Sequence, residues 1–272
     1  MTSIATNRAA IRVQYHGVGN ADLENQSFTR LASGRRINSA SDDAAGLFIA
    51  GRMKAQITGL ERAVQNSFDG ISLVNTAEAN LNEIRNMVLR MREIAVQMAN
   101  GIYLDNPDRG FAQIEIDQLI QQIDMIAENA NFNGVALLDG TMQNVGIQTG
   151  STANERPSIF FKDNTTDGLG IDVVDVTTQA NAKTAMGTLD TALTSISDEL
   201  SRAGAYDNRF GHTISVLEKT AKVTKIARGR IMDADMASES TALSKAQVLS
   251  QANTAMLAQA NRAMSTVLTL FN

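Results

Sequence analysis

Between Leu60 and Met98 the apolar residues Leu60, Val64, Phe68, Ile71, Val74, Ala77, Leu81, Ile84, Val88, Met91, Ala95 and Met98 recur at steps of three or four. That spacing follows the 3.6-residue turn of an α-helix, so all of them fall on one stripe. Glu61, Arg62, Glu78, Glu83, Arg85 and Arg92 lie mostly off it. Helices of globular proteins average about 11–12 residues. A run of 39 residues, roughly 60 Å long at 1.5 Å per residue, points instead to a coiled coil or a bundle rod.

The composition agrees with long helices. Aromatic residues make up 4% of the 272, Trp is absent and there are 2 Pro, yet 43% of the chain is apolar, including 12 Met. Small and unbranched side chains with almost no Pro favour uninterrupted helix. Scarce aromatics remove the bulkiest core-formers, which suits a thin helical body. A net charge of −5 argues against nucleic acid as the main partner, which would require a basic face. The chain has no Cys, and hence no disulfide, thiolate site or thiol nucleophile. Its N-terminal residues lack the apolar core of a Sec signal peptide. No stretch reaches the ~18 apolar residues of a membrane span, so no membrane insertion is expected.

Along the rest of the chain, Gly101, Asn106 and Pro107 predict a loop over residues 100–109. A second helix follows from about Phe111 to Glu128, ended by Asn131-Phe132-Asn133-Gly134. From Met142 to Val176 the pattern changes. Val145–Thr149, Ser158–Phe161 and Gly170–Val176 are short and rich in β-branched or aromatic residues, and read as strands of a small hairpin or meander. Helix returns near Ala180 with the stripe Met186, Leu189, Leu193, Ile196, Leu200 and Ala203. After Gly204 another stripe runs through Phe210, Ile214, Leu217, Ala221 and Ile226. From Ala246 to the end the only charged side chain is Arg262, while Leu249, Ala252, Met256, Ala260, Ala263, Val267 and Leu270 keep helical spacing. A helix with so little charge needs apolar partners. Either it is central to its own bundle or, as preferred here, it packs against copies of itself.

Nothing points to catalysis. The two histidines, His16 and His212, belong to no spaced-ligand motif, and neither a metalloprotease helix motif nor a nucleophile elbow occurs. Gly17-Val18-Gly19 begins like a dinucleotide loop, but the third glycine is missing. Asp42-Asp43 and Asp233-Ala234-Asp235 stand where helices should begin, where carboxylates meet free backbone N–H groups. No cofactor, metal or catalytic residue is assigned.

The segments that organise the chain also carry a family likeness. Leu31–Leu47 (LASGRRINSASDDAAGL), Asn66–Leu73 (NSFDGISL), Leu81–Ile84, Arg90–Gln97 (RMREIAVQ) and Asn131–Gly134 resemble the N-terminal signature of bacterial flagellins. Asn208–Phe210, Ala227–Ile231, Asp233–Asp235, Ser244–Leu249 and Met256–Asn261 resemble the C-terminal signature. The ordered set covers roughly residues 28–140 and 185–272.

This resemblance implies a structural subunit that self-assembles into the flagellar filament for motility, in a short form lacking large outer domains. The implied fold is mainly α, a long helical coiled-coil rod built from both chain ends with a small β-hairpin excursion in the middle. Residues 1–40 with 236–272 would form an inner helical pair, 41–140 with 178–235 the rod, and 141–177 an outward-facing hairpin region. It further implies secretion by the flagellar type III apparatus to an extracellular filament. The implied partners are copies of the chain, an export chaperone, the cap and hook-associated proteins. In the family, the stretch matching Leu89, Arg90, Glu93, Ile94 and Gln97, with a carboxylate matching Glu115, packs between neighbours. In some members Toll-like receptor 5 recognises it. On residues alone these are also ordinary i,i+3/i+4 partners on a helix surface.

Two departures stand out. Residues 8–27 differ from the usual inner helix, and Gly17 and Gly19, each costing up to ~1 kcal/mol in a helix interior, predict a weakened or kinked segment. Met264 stands where the family often has Pro. The main filament protein and a minor or specialised flagellin both remain open. A hook–filament junction protein shares the paired-end plan, but Ala44-Ala45-Gly46 after Ser41-Asp42-Asp43 favours flagellin.

Overall fold

The computed structural model describes residues 6–105, 107–142, 144–150, 152 and 154–269, with side chains described through Thr266. In chain order its elements are α1 (Arg8–Ser33), α2 (Ala44–Met98), α3 (Asp108–Asn129), β1 (Asn131–Phe132), β2 (Val135–Ala136), β3 (Val145–Gly146), β4 (Ser158–Ile159), α4 (Thr166–Leu169), α5 (Gln179–Met232) and α6 (Met236–Thr269). The fold is mainly helical with short antiparallel strands in the middle. The chain divides into two compact units, Thr58–Ala221 and Met1–Ile57 with Lys222–Asn272.

In the Thr58–Ala221 unit the expected stripe forms the core. Leu60, Val74, Ala77, Leu81, Ile84, Val88, Met91, Ala95 and Met98 are buried, and Val64 and Ile71 half-buried. Phe68 is the exception, being exposed. At that level α2 turns small residues inward: Ser67 is fully buried, its hydroxyl donating to the Ala63 carbonyl at 2.8 Å, and a Cβ on Gly70 would stand 3.3 Å from Phe210 Cζ. The buried Phe210 ring fills the space that Phe68 would otherwise need. From the other helices, Ile116, Ile123, Leu189 and Ile196 close the core.

One expectation is corrected in this unit, the strand over Gly170–Val176, and two others gain detail. The two stripes expected on either side of Gly204 lie on one unbroken helix, α5. The glycine meets no neighbour, and burial of Ala203 and Phe210 on either side outweighs its ~1 kcal/mol propensity cost. Gly170–Val176 is not a strand. The Gln113 side-chain amide accepts from Val176 N at 2.8 Å and donates to the Val174 carbonyl at 3.0 Å, supplying the backbone pairing that a neighbouring strand would have given. Asn131–Gly134, expected simply to end α3, opens the hairpin β1–β2. Asn133 (φ 51°) and Gly134 (φ 80°) adopt the left-handed pair that a two-residue hairpin turn requires. The expected strands at Val145 and Ser158 do pair, as β3 and β4 in antiparallel register, Val145 opposite Ile159.

In the other unit, α1 runs unbroken through Gly17 and Gly19, which corrects the expected kink. Asn7 caps it by accepting from Ala10 N at 3.0 Å, and Gly34 ends it at φ 68°. Beyond Gly34 the chain pairs with the α5–α6 corner. Arg36 N donates to the Met232 carbonyl at 2.7 Å, and Ala234 N to the Gly34 carbonyl at 3.0 Å. Ile37, Ala50 and Met232 form the small core there. The acidic pairs act as caps and turns. Asp43 accepts from Gly46 N (2.8 Å) at the start of α2, and Asp235 from Ala237 N (3.0 Å) at the start of α6. Asp42 accepts from Ser39 N and Asn38 N, which lowers its pKa to about 2.

Candidate assembly surfaces

The α1–α6 pair is antiparallel. Asn7 Nδ2 donates to the Ala260 carbonyl at 3.1 Å near one end, and Arg30 donates to Glu239 at 3.0 Å near the other. The covered positions on α1 are Ala10, Val13, Gly17, Asn20, Glu24, Ser27 and Leu31; on α6 they are Glu239, Leu243, Ala246, Ser250, Asn253, Leu257, Ala260 and Met264. Both sets step by alternating threes and fours, the spacing of a coiled-coil seam.

The chemistry of this seam is reversed from the usual pattern. Gly, Asn, Glu and Ser hold four of the seven covered positions on α1, while its large apolar residues Ile11, Tyr15, Val18, Leu23 and Phe28 are all more than half exposed. Such a pair gains little from its own burial and leaves its strongest apolar surface outside. On α6 the expected stripe lies largely on the uncovered side. Leu249, Ala252, Met256 and Ala263 are exposed, and Ala260 is half-buried in the seam. The side chains of Val267 and Leu270 lie outside the described residues.

A second surface belongs to α2 and α3. Arg90 Nε donates to Glu115 Oε1 at 2.9 Å and a terminal nitrogen to Glu93 Oε2 at 3.1 Å. Hydrogen bonding to Glu115, then to Glu93, holds the Arg90 pKa above its ordinary value. All three side chains are roughly half exposed or more, and Leu89 is exposed beside them. Gln97 donates to the Tyr103 hydroxyl at 3.2 Å, on the rim of a groove of about 410 Å³ shared with Phe111 and Glu115. Ile94 lines the same groove from its floor. It is 3% exposed and packs in the core, because it follows Met91 by three residues on the inward face of α2.

Arg109, which sequence reasoning passed over, organises the loop under this groove. It is 3% exposed and donates to the carbonyls of Met98 (2.9 Å), Asn100 (2.9 Å) and Tyr103 (2.6 Å) and to the Asp105 carboxylate. Its guanidinium closes the α2–α3 connection much as a short strand would. The one available signal is weak: an arginine at the second position of a helix, where cations are disfavoured by the dipole, implies another partner.

Among the described residues, no helix is long and apolar enough to cross a membrane, and no group of three or more His, Cys, Asp or Glu could hold a metal ion.

Comparison with known proteins identifies the helical regions that carry these surfaces. Residues 4–143 match the bacterial flagellin N-terminal helical region, and residues 186–271 the C-terminal helical region. Flagellin FlaB2 of Treponema pallidum (strain Nichols) is 37% identical, over 93% of this chain and 94% of the relative. The flagellin of Bacillus subtilis (strain 168) is also 37% identical, over 97% and 98%. Among solved structures, Bacillus cereus flagellin superposes with a TM-score of 0.51 at 33% identity, over 56% of this chain and 88% of that one. A putative flagellar hook-associated protein from Vibrio parahaemolyticus gives a TM-score of 0.60 at 14% identity, a likeness of fold alone, over 71% and 100%.

Proposed function

The chain belongs to the bacterial flagellin family and is a structural subunit of the flagellar filament. From that premise we propose that the two ends complete their burial only against neighbouring copies. The observation that carries this is the reversed α1 face: Ile11, Tyr15, Val18, Leu23 and Phe28 stand outside a pair to which α1 contributes Gly17, Asn20, Glu24 and Ser27 at four of its seven covered positions. On α6, Leu249 and Met256 offer further apolar surface beside Ala252 and Ala263, whose short side chains admit close approach. In this reading residues 1–40 with 236–272 form the inner pair, 41–140 with 178–235 the rod and 141–177 the outward region. The chain plays no catalytic part. It is secreted through the flagellar export route to the cell exterior, with a chaperone, the cap and hook-associated proteins as transient partners.

The exposed Arg90, Glu93 and Glu115 cluster, with Leu89 and Gln97, serves as a second packing surface between copies. On a free subunit the same side chains are accessible to a receptor of the Toll-like receptor 5 kind.

Seeded polymerisation tests the main reading. The unmodified chain should elongate seeds into long tubes visible by electron microscopy. Val18→Asp with Phe28→Asp should remove elongation while leaving the helical circular-dichroism signal within about a tenth of the original, because both side chains are exposed in the single copy. Elongation of that double variant at the unmodified critical concentration would refute the proposal.

A further inference from the structure

The two compact units differ in charge. Residues 58–221 carry 22 acidic and 11 basic side chains, a net charge of −11. Residues 1–57 with 222–272 carry 7 acidic and 13 basic, a net charge of +6. Two exposed helix faces concentrate this difference, and each is also apolar.

On α3, Phe111, Ile114, Gln118, Gln121, Met125 and Glu128 step by threes and fours along the side opposite the buried Ile116 and Ile123, and every one of them is exposed. Asp117 lies beside them, also exposed. The only cation of this helix, Arg109, is buried and committed to loop carbonyls, so the exposed charges on and beside this face, Asp117 and Glu128, are both acidic. On α5, Val223, Ile226 and Arg230 continue the same kind of spacing and are exposed, with Lys222 and Lys225 exposed on either side. From Lys222 to Met232 the chain contains no acidic residue.

Single exposed apolar residues are ordinary and call for no partner. A periodic stripe of them with one charge sign around it is different, because it supplies both the seam and the flanking charges of a helix–helix contact. We propose that the basic α5 face around Val223, Ile226 and Arg230 docks on the acidic α3 face around Ile114, Met125 and Glu128 of a second copy. This rests on the filament-subunit reading and says which surfaces that assembly joins. The occupant is chosen by charge. Either face against its own like would bring cation to cation or carboxylate to carboxylate, which opposes a two-fold dimer. A basic face on an acidic one is a heterologous contact. In an open array it leaves one free face of each kind at the two ends, as a growing filament requires. Glu115 takes no part in it, being held by Arg90.

Charge reversal with restoration is the test, read as the critical concentration for seeded elongation of the full chain. Lys222→Glu, Lys225→Glu and Arg230→Glu together should raise it at least about tenfold, since like charges placed opposite one another cost several kcal/mol and each 1.4 kcal/mol is tenfold. Asp117→Lys with Glu128→Lys should do the same. A chain carrying all five substitutions should return to within about threefold of the unmodified value, which also shows that the reversed chains fold. If the unmodified chain elongates and the triple variant elongates equally well, the pairing is wrong while the filament function stands. The pairing is also overturned if each reversal blocks assembly and the fivefold chain stays blocked. If the unmodified chain forms no filament at all, the functional reading falls and the pairing with it.

Discussion

Replacing Arg109 by Met keeps the length and apolar volume of the side chain but removes the guanidinium donors that it gives to the α2–α3 connection. Three carbonyls, those of Met98, Asn100 and Tyr103, then lose their partner. Leaving a buried acceptor unsatisfied costs about 1–3 kcal/mol. Met98 is buried and takes the full penalty, whereas Tyr103 is half-buried and Asn100 exposed, so water recovers part of theirs. The ion pair to Asp105 adds little, because that carboxylate is 68% exposed. The sum is roughly 3–5 kcal/mol of lost stability. Urea unfolding followed by circular dichroism should show the midpoint of the Thr58–Ala221 unit falling accordingly at unchanged slope. Hydrogen exchange of residues 99–105 should lose protection before the rest of the unit. Arg109→Lys, with a point charge in place of the planar fork, should retain only part of the set and fall between. Asp105→Asn should cost less than about 1 kcal/mol. A shift below about 1 kcal/mol in the Met variant would refute the view that this guanidinium holds the loop.

Three further outcomes follow from the same reasoning. Ile94→Ala should destabilise the chain by about 2–5 kcal/mol, whereas Arg90→Ala should stay within about 1 kcal/mol and reduce seeded elongation; denaturant midpoints alongside elongation rates separate the two roles. Gly46→Ala places a methyl at 2.8 Å from Ile37 Cδ1 and against the Asp43 carboxylate. It should therefore cost at least the ~1 kcal/mol of the lost α2 cap, read by thermal unfolding. The folded pKa of Asp42 is lowered from 3.8 to about 2. Its stabilisation of the Asn38–Ser39 turn is thus present above pH 3.8 and lost as pH falls from there towards about 2. Amide exchange of Ser39 should follow that window in the unmodified chain and be flat in Asp42→Asn.

The sequence made the helices plain because their apolar residues recur at one period over many turns. It was less informative wherever a single partner decided the outcome. Phe68 satisfies the α2 stripe, yet Phe210, distant in sequence, takes the inward space and turns it out. Val174 and Val176 look like a strand until the Gln113 amide satisfies their backbone. The terminal helices show the limit most clearly. Two stripes coexist on α6, the apolar one through Leu249 and Met256 and the covered one through Ala246, Asn253 and Leu257. Periodicity cannot say which faces α1. The small and polar α1 side of the seam is invisible to a reading that looks for large apolar residues, and Gly17, one of the two glycines expected to weaken α1, is part of that seam. Of the α2–α3 surface, the stretch Leu89–Gln97 with Glu115 was legible through family resemblance, the burial of Ile94 beneath it was not, and Arg109 was missed.

The seam joins residues 253 apart at Asn7 and Ala260, and 209 apart at Arg30 and Glu239. Closing so long a loop in an open chain carries a substantial entropic penalty, one that grows with the logarithm of its length. The Thr58–Ala221 unit removes most of that penalty when it folds, because its contact of Leu60 and Ala63 with Leu217 and Ala221 brings the two strands of the chain together at its boundary. Pairing of the ends is therefore less costly once the middle is native, and its Arg30–Glu239 contact needs the α6 segment in place. A stalled or truncated polypeptide has α1 without its complement. The outer apolar face of α1 is thus presented in paired form only where α6 is present to pair with it.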